Sequence, residues 1–331
     1  MKCINKAGAL RKYIFAGFLH FFILFCLTGC VSLPYSAEYG SLGNSSLTDE
    51  NSDLALKAPA FSSQIAVYTG DIGINELSDL ESCASAVLFD VENKEVIYSK
   101  NAFDKLYPAS LTKIMTALVA IKHGQMDQIL TATDNVRIDE TGAQKAGITA
   151  GDSMTLYTAL RIMLLYSAND VSMLIAENIG GTVDNFISMM NDEAIQLGAT
   201  GTHFTNPHGL TNEEHYTTAY DLYLIFNECI KYDEFREIIS MPSYDAVYTD
   251  KKGNDVFLSV KNTNGYMNGS YTAPAGVSVI GGKTGTTSAA GNCLILLSEN
   301  ESGNQFISVV LKSEGTENLY ENMNSLLDSI E

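Results

Sequence analysis

Residues 107–119 read YPASLTKIMTALV and mark the point where the predicted secondary structure changes from strands to helices. The apolar residues of this stretch follow the three- and four-residue repeat of a single helical face, through Leu111, Ile114, Met115, Leu118 and Val119. Just upstream, residues 86–90 and 95–98 are rich in apolar and β-branched side chains and flank a short polar turn, which predicts a β-hairpin. The chain therefore passes from paired strands into helix at this point.

A block of helices follows, and a block of strands follows the helices. Helical spacing recurs in residues 156–164, 171–179, 183–197 and 219–230. Strand-like runs occupy residues 244–248, 256–260, 277–282, 292–298 and 305–311, and a final helix is predicted for residues 317–330. This order indicates an α+β fold rather than an alternating α/β fold. If the first hairpin pairs with the late strands, the helices form an insertion, and a cleft at the seam is the expected site.

The amino-acid composition limits the classes of molecule that this protein could bind. The 331 residues include 39 acidic and 20 basic ones, which gives a formal charge of −19. Binding to phosphate needs a basic surface, so this balance argues against a nucleic acid partner. A hydrophobic content of 46% supplies a packed core and argues against disorder as the dominant state.

Residues 1–29 have the features of a secretory signal. They contain four basic residues and no acidic one, and residues 14–27 are apolar apart from one histidine. The sequence LTGC at residues 27–30 resembles a bacterial lipobox, in which the cysteine is lipidated and becomes the first mature residue. An ordinary signal peptide followed by an incidental cysteine is the alternative. Lipid on Cys30 would hold the exported protein at the outer face of the bacterial cytoplasmic membrane.

The mature chain divides into a tether and a domain. Loss of four basic residues with the signal leaves 16 basic residues against 39 acidic ones, a charge of −23. Residues 30–79 are rich in Ser, Gly, Asn and acidic side chains and are predicted to form a flexible tether, with a short strand near residues 65–68. Residues 80–331 are predicted to fold as the domain. Its three cysteines are an odd number, and Cys293, in a strand-like run, is expected to be a buried thiol.

Three short motifs in this domain contain side chains that could catalyse a reaction or bind a substrate. Ser110 and Lys113 lie three residues apart at the start of the first helix, so the hydroxyl and the amine can meet on one side of it. A lysine activates a serine only when burial or neighbouring positive charge lowers its pKa. The alternative is a purely structural role, in which Ser110 is the N-cap of the helix.

The second and third motifs come later in the chain. Ser167 and Asn169 fall between two predicted helices, where they could relay a proton and hold a substrate amide, or could simply cap a helix. Residues 281–286 read GGKTGT at the end of an apolar strand. Glycines there indicate close backbone approach by another chain or ligand, and an extended substrate could add along such an edge. A glycine bend with a solvated lysine is the alternative.

The three motifs together form an ordered signature, Ser-x-x-Lys, Ser-x-Asn and Lys-Thr-Gly. Penicillin-binding proteins and class A β-lactamases carry this set, with Ser-Asp-Asn as the middle motif. The wider sequence resembles the low-molecular-mass D-alanyl-D-alanine carboxypeptidases, in residues 107–117, 167–170, 206–210, 215–222 and 282–287. The resemblance covers roughly residues 80–331. It implies a β-lactamase/transpeptidase-like fold, with an antiparallel sheet flanked by helices and an all-helical lobe.

The resemblance also implies a role for each matching residue. Ser110 would be the acylated nucleophile, Lys113 its general base and Ser167 the donor of a proton to the departing D-alanine. Asn169 would bind the substrate backbone, and Lys283 and Thr284, next to the substrate-binding Gly285, would recognise the terminal carboxylate. The backbone N–H groups of Ser110 and Thr286 would form the oxyanion hole. His208 and His215 are expected to order loops rather than to catalyse. Five histidines show no metal-ligand spacing, so neither a metal nor another cofactor is expected.

The function expected from the resemblance is a serine-type carboxypeptidase. It would remove the last D-alanine from peptidoglycan stem peptides through an acyl-enzyme, and β-lactam antibiotics would acylate it. Endopeptidase action on cross-links is a close variant of this reaction that the sequence leaves open, and two alternatives of other kinds remain at this point. One is a β-lactamase, although residues 169–283 contain no Glu-x-x-x-Asn. The other is a catalytically silent lipoprotein that binds wall peptides.

Overall fold

The computed structural model describes residues 65–73 and 80–330. The strands in this part of the chain are β1 (Cys83–Asp90), β2 (Glu95–Lys100), β3 (Ile129–Thr131), β4 (Ser153–Thr155), β5 (Ser243–Thr249), β6 (Asp255–Lys261), β7 (Val277–Thr287), β8 (Gly291–Asn300) and β9 (Gln305–Ser313). The α-helices are α1 (Thr112–His123), α2 (Leu156–Arg161), α3 (Asn169–Gly180), α4 (Val183–Gln196), α5 (Ala219–Cys229), α6 (Asp233–Ser240), α7 (Gly265–Asn268) and α8 (Thr316–Leu327). A π-helical turn, Ile162–Tyr166, extends α2.

The main sheet joins the first hairpin to the last strands. Its strand order is β2-β1-β9-β8-β7, and every neighbouring pair is antiparallel. β1 pairs with β9 along most of its length, so helices α1 to α6 are inserted between two halves of one sheet. This arrangement confirms the predicted α+β class and places β7 at an edge of the sheet, because β8 is its only partner among the described strands.

Helix α1 is buried on every side. Its residues from Thr112 to Ala120 are all buried, whereas the sequence pattern predicts a single apolar face. The difference arises because α1 packs against α3, α4 and α5 at once. Its polar residues Lys113 and Thr116 are therefore inside the core, where each needs a hydrogen-bond partner.

A second, four-stranded sheet has the order β3-β4-β5-β6. The sequence patterns place β5 and β6 in one group with the late strands, but in the structure they form this separate sheet. β3, β4 and helix α6 are absent from the sequence prediction. β3 and β4 have three residues each, which is too short for an alternating pattern to be visible. The pairing of β4 with β5 joins residues that are distant in sequence, so local periodicity does not reveal it.

Residues 65–73 pack on the domain, although sequence analysis places them in the tether. Tyr223 accepts a hydrogen bond from the Ala66 N–H at 3.0 Å, and Tyr220 donates its hydroxyl to the Ala66 oxygen at 2.9 Å. No strand forms at residues 65–68; one isolated bridge joins Ile72 to Ser99 instead. The predicted signal, Cys30 and most of the predicted tether lie outside the described residues.

Cys83, Cys229 and Cys293 are buried free thiols, as expected for Cys293. Burial raises the pKa of Cys293 to about 12, so its thiol is protonated near neutral pH. Within residues 65–73 and 80–330, none of the helices combines the length and the apolar character needed to cross a bilayer.

Helix α8 covers the face of the main sheet opposite the helical lobe, and this packing is testable. Met323 is fully buried in a cluster that includes Leu88 and Leu296 of the sheet. We expect Met323→Ala to lower the free energy of unfolding by about 2–5 kcal/mol, through lost burial and a residual cavity. The exposed Glu321, on the same helix, is the control, and Glu321→Ala should stay within about 0.5 kcal/mol of wild type in a urea titration. Equal effects of the two substitutions would contradict this packing.

Candidate active site

The predicted site residues meet at a cleft of about 750 Å³. Six of the eight line it: Ser110, Ser167, Asn169, Thr284, Gly285 and Thr286. The other two, Lys113 and Lys283, are buried beside it. The structure therefore brings the three motifs together, at the seam between the edge strand β7 and the inserted helices.

Ser110 lies in a 3₁₀ turn, Ala109–Leu111, directly before α1. It is not the N-cap of α1, because Leu111 occupies that position and no side chain caps the helix. Ala109 has a φ of +48°, in the left-handed region that residues with a Cβ rarely adopt. The turn is therefore strained at the residue that precedes the serine.

The Lys113 amine is held among three oxygen atoms. Its Nζ lies 3.0 Å from Ser110 Oγ, 2.7 Å from Asn169 Oδ1 and 2.6 Å from the His208 carbonyl oxygen. None of these partners is a carboxylate. Burial, together with the positive charge of Lys283, lowers the pKa of Lys113 well below its usual value, and Asp170 only partly opposes this.

The neutral form of this amine matches its surroundings. A neutral amine has two N–H donors and one lone pair. The carbonyl oxygens of Asn169 and His208 can only accept, so they engage the two N–H groups. The lone pair is then left for the third neighbour, the Ser110 hydroxyl.

The Ser-x-Asn motif follows the π-helical turn. Ser167 has a φ of +67°, in the left-handed region, so the preceding π-helical turn ends there and Ser167 is not part of α3. Neither Ser167 nor Asn169 caps α3, because Ala168 is the N-cap and no side chain forms a capping hydrogen bond. Asp170 accepts backbone hydrogen bonds from Gly147 at 2.7 Å and Ala146 at 2.9 Å. It thereby fixes the segment that follows residues 140–144, which form one wall of the cleft.

The Lys-Thr-Gly motif lies within β7, which continues to Thr287 rather than ending near residue 282. Lys283 is buried and donates to the Thr284 carbonyl oxygen at 2.9 Å. Burial lowers its pKa to about 7. A Cβ on Gly285 would lie 2.9 Å from Ser110 N, so glycine permits the close approach of β7 to the serine turn.

Two residues that shape the site, His208 and His215, lie outside the three motifs. His208 supplies a backbone oxygen, and its own imidazole is neutral because burial lowers its pKa to about 3. His215 bonds to Thr112 at 2.8 Å, at the start of α1. No short motif marks a backbone acceptor, so only the quoted similarity around residues 206–222 points to this region. Within the described residues, no group of three His, Cys, Asp or Glu side chains could hold a metal ion.

Comparisons with known proteins identify relatives of this chain in sequence and in fold. The chain is 35% identical over 216 residues to the D-alanyl-D-alanine carboxypeptidase DacF of Bacillus subtilis, a match that covers 63% of this chain and 52% of the relative. It is 31% identical over 235 residues to DacA of Haemophilus influenzae, covering 68% and 56% of the two chains. The chain thus spans about half the length of these curated relatives.

A solved structure shares the fold. The crystal structure of the Streptomyces K15 DD-transpeptidase superposes with a TM-score of 0.69 and 27% identity, over 75% of this chain and 96% of that one. The family model described as D-alanyl-D-alanine carboxypeptidase matches residues 75–315, well over half of the sequence. With this match and the three motifs gathered at one cleft, the chain belongs to the D-alanyl-D-alanine carboxypeptidase family.

Proposed function

We propose that this protein is a serine-type D-alanyl-D-alanine carboxypeptidase that removes the terminal D-alanine from peptidoglycan stem peptides. The observation that carries the proposal is the Lys113 amine, buried without a carboxylate partner and 3.0 Å from Ser110 Oγ. A serine hydroxyl becomes a good nucleophile only when a base takes its proton. A neutral lysine in this position is such a base.

In the first step Ser110 Oγ attacks the carbonyl carbon of the terminal peptide bond while Lys113 takes its proton. The backbone N–H groups of Ser110 and Thr286 stabilise the oxyanion, and such donors contribute about 2.7–4 kcal/mol each. Ser167 relays the proton that Lys113 took from Ser110 to the D-alanine nitrogen as the C–N bond breaks, which leaves Lys113 neutral again. Water then hydrolyses the acyl-enzyme and releases the shortened peptide.

Substrate binding relies on the other members of the site. Lys283 and Thr284 hold the terminal carboxylate, and Asn169 binds the peptide backbone. Lys283 has no carboxylate hydrogen-bonded to it among the described residues, so its charge is available to an anionic substrate. β-Lactam antibiotics would acylate Ser110 in the same cleft as covalent inhibitors.

We expect Ser110→Ala to abolish both D-alanine release from a pentapeptide and the covalent adduct with benzylpenicillin seen by mass spectrometry. The exposed Ser188 on α4 is the control, and Ser188→Ala should keep both activities. D-Alanine release by Ser110→Ala would refute the assigned nucleophile. A wild-type protein with neither activity would indicate the silent binding protein, and adduct turnover in seconds without peptide cleavage would indicate a β-lactamase.

The two lysines predict a bell-shaped pH profile for kcat/KM. Protonated Lys113 cannot accept the serine proton, so activity falls as the pH drops through its lowered pKa. Lys283 loses its charge above about pH 7 and then holds the substrate carboxylate less well, so activity also falls on the alkaline side.

Lys283→Arg tests the assignment of the alkaline limb. A guanidinium stays charged, so this variant should lose the alkaline limb and keep the acid limb, whatever its absolute rate. Measurement of D-alanine release from pH 5 to 10 checks the expectation. An alkaline limb at the same pH in both proteins would contradict the role of Lys283.

We further propose that the protein is exported and anchored through lipid on Cys30, at the outer face of the cytoplasmic membrane. The support is the sequence: a basic start, an apolar segment and LTGC at residues 27–30. An acidic chain gains no electrostatic attraction to an anionic membrane, so a lipid is the expected means of retention.

We expect Cys30→Ser to abolish incorporation of labelled fatty acid and to release the protein from the membrane fraction. Cys26→Ser, a change of the same type inside the apolar segment, is the matched control and should leave labelling intact. Labelling that persists in Cys30→Ser would contradict the lipidation site.

A further inference from the structure

A chain of three hydrogen bonds leads from the loop before α5 to the turn that carries Ser110. Thr205 N–H donates to His215 Nδ1 at 3.0 Å, His215 Nε2 lies 2.8 Å from Thr112 Oγ1, and Thr112 Oγ1 donates to the Ala109 oxygen at 2.9 Å. Because Nδ1 accepts, the proton of the neutral ring is on Nε2, and the imidazole donates to Thr112. Thr112 and His215 are both buried, so water does not replace these bonds.

The end of this chain is one peptide unit. The Ala109 carbonyl and the Ser110 N–H belong to the same planar trans peptide, in which C=O and N–H point in opposite directions. A Cβ on Gly209 would lie 1.8 Å from the Ala109 oxygen, and a Cβ on Gly285 would lie 2.9 Å from Ser110 N. The oxygen therefore faces the Gly209 loop, and the nitrogen lies against β7 at Gly285, the residue that precedes Thr286 in the strand.

The turn needs an external restraint. The positive φ of Ala109 is unfavourable for a residue with a Cβ, so the isolated turn would relax by rotation about the N–Cα bond of Ala109, which would reorient the following Ala109–Ser110 peptide. Thr112 opposes that rotation, because its N–H and its hydroxyl both donate to the Ala109 oxygen. His215 fixes the direction of the hydroxyl by donating to it.

We propose that Thr112 and His215 are positioning residues for acyl transfer, which hold the Ala109–Ser110 peptide so that Ser110 N–H points at the substrate oxyanion. This inference rests on the proposed function, because it assumes that Ser110 is acylated. Neither side chain contacts the substrate; they act through the peptide plane. Their effect is therefore on the first-order acylation step rather than on the initial binding of the ligand.

The test separates binding from acylation. Saturation kinetics with a fluorescent penicillin yield the dissociation constant of the encounter complex and the first-order rate of acylation. Thr112→Val keeps the shape of the side chain and removes the hydroxyl. We expect it to acylate at least about 10-fold more slowly, since loss of a whole oxyanion donor costs about 10²–10³-fold. The dissociation constant should change less than about twofold.

Two further variants exclude a general effect on stability. Thr112→Ser keeps the hydroxyl and should recover the acylation rate to within about threefold of wild type. Thr158→Val removes a buried hydroxyl from α2, bonded to Thr155 at 3.0 Å, and should acylate at the wild-type rate. Urea titration of all variants shows that each is folded under the assay conditions.

The outcomes are distinguishable. A wild-type first-order rate in folded Thr112→Val, or failure of folded Thr112→Ser to recover the rate, would overturn the positioning role while the proposed function stands. Absence of a Ser110 adduct in the wild-type protein would instead refute the proposed function, and this inference with it.

Discussion

The burial of one amine among acceptors that carry no charge is the constraint on which the site depends. Lys113 lies in a helix that is buried on every side, so its charged form loses hydration without gaining a carboxylate. The cost of burying a cation is avoided when the amine is neutral. Two carbonyl oxygens then satisfy its N–H groups and direct the lone pair toward Ser110. The same feature that makes the lysine unfavourable as a charged residue makes it useful as a base.

The sheet topology makes this burial possible. Because β1 pairs with β9, the inserted helices pack against the sheet from one side, and α1 becomes the centre of the lobe. The seam leaves β7 with a free edge beside the serine turn, where Gly285 permits close approach. Strand, turn and helix therefore meet at one cleft, although their motifs are far apart in the chain.

Local patterns predicted the elements that are long enough to show a repeat. The hairpin of β1 and β2, helix α1 and strands β8 and β9 follow from alternation or helical spacing over several residues. The three-residue strands β3 and β4 do not, and neither does the division of the late strands between two sheets. Residues 65–73 show little sustained periodicity, and contacts with distant residues place Ala66 on the domain, including hydrogen bonds with Tyr220 and Tyr223. These features arise from contacts between residues distant in sequence.

The chemical groups of the site and their order follow from the sequence: a serine and a lysine three residues apart, a Ser-x-Asn segment and a Lys-Thr-Gly strand. Spacing on a helix is a local property, so the meeting of Ser110 and Lys113 could be predicted. The tertiary structure alone lowers the pKa of Lys113, because the shift results from burial and from the charge of Lys283, a residue that is distant in sequence. It likewise decided the orientation of the Ala109–Ser110 peptide, because Thr112 and His215 come together only when the chain is folded.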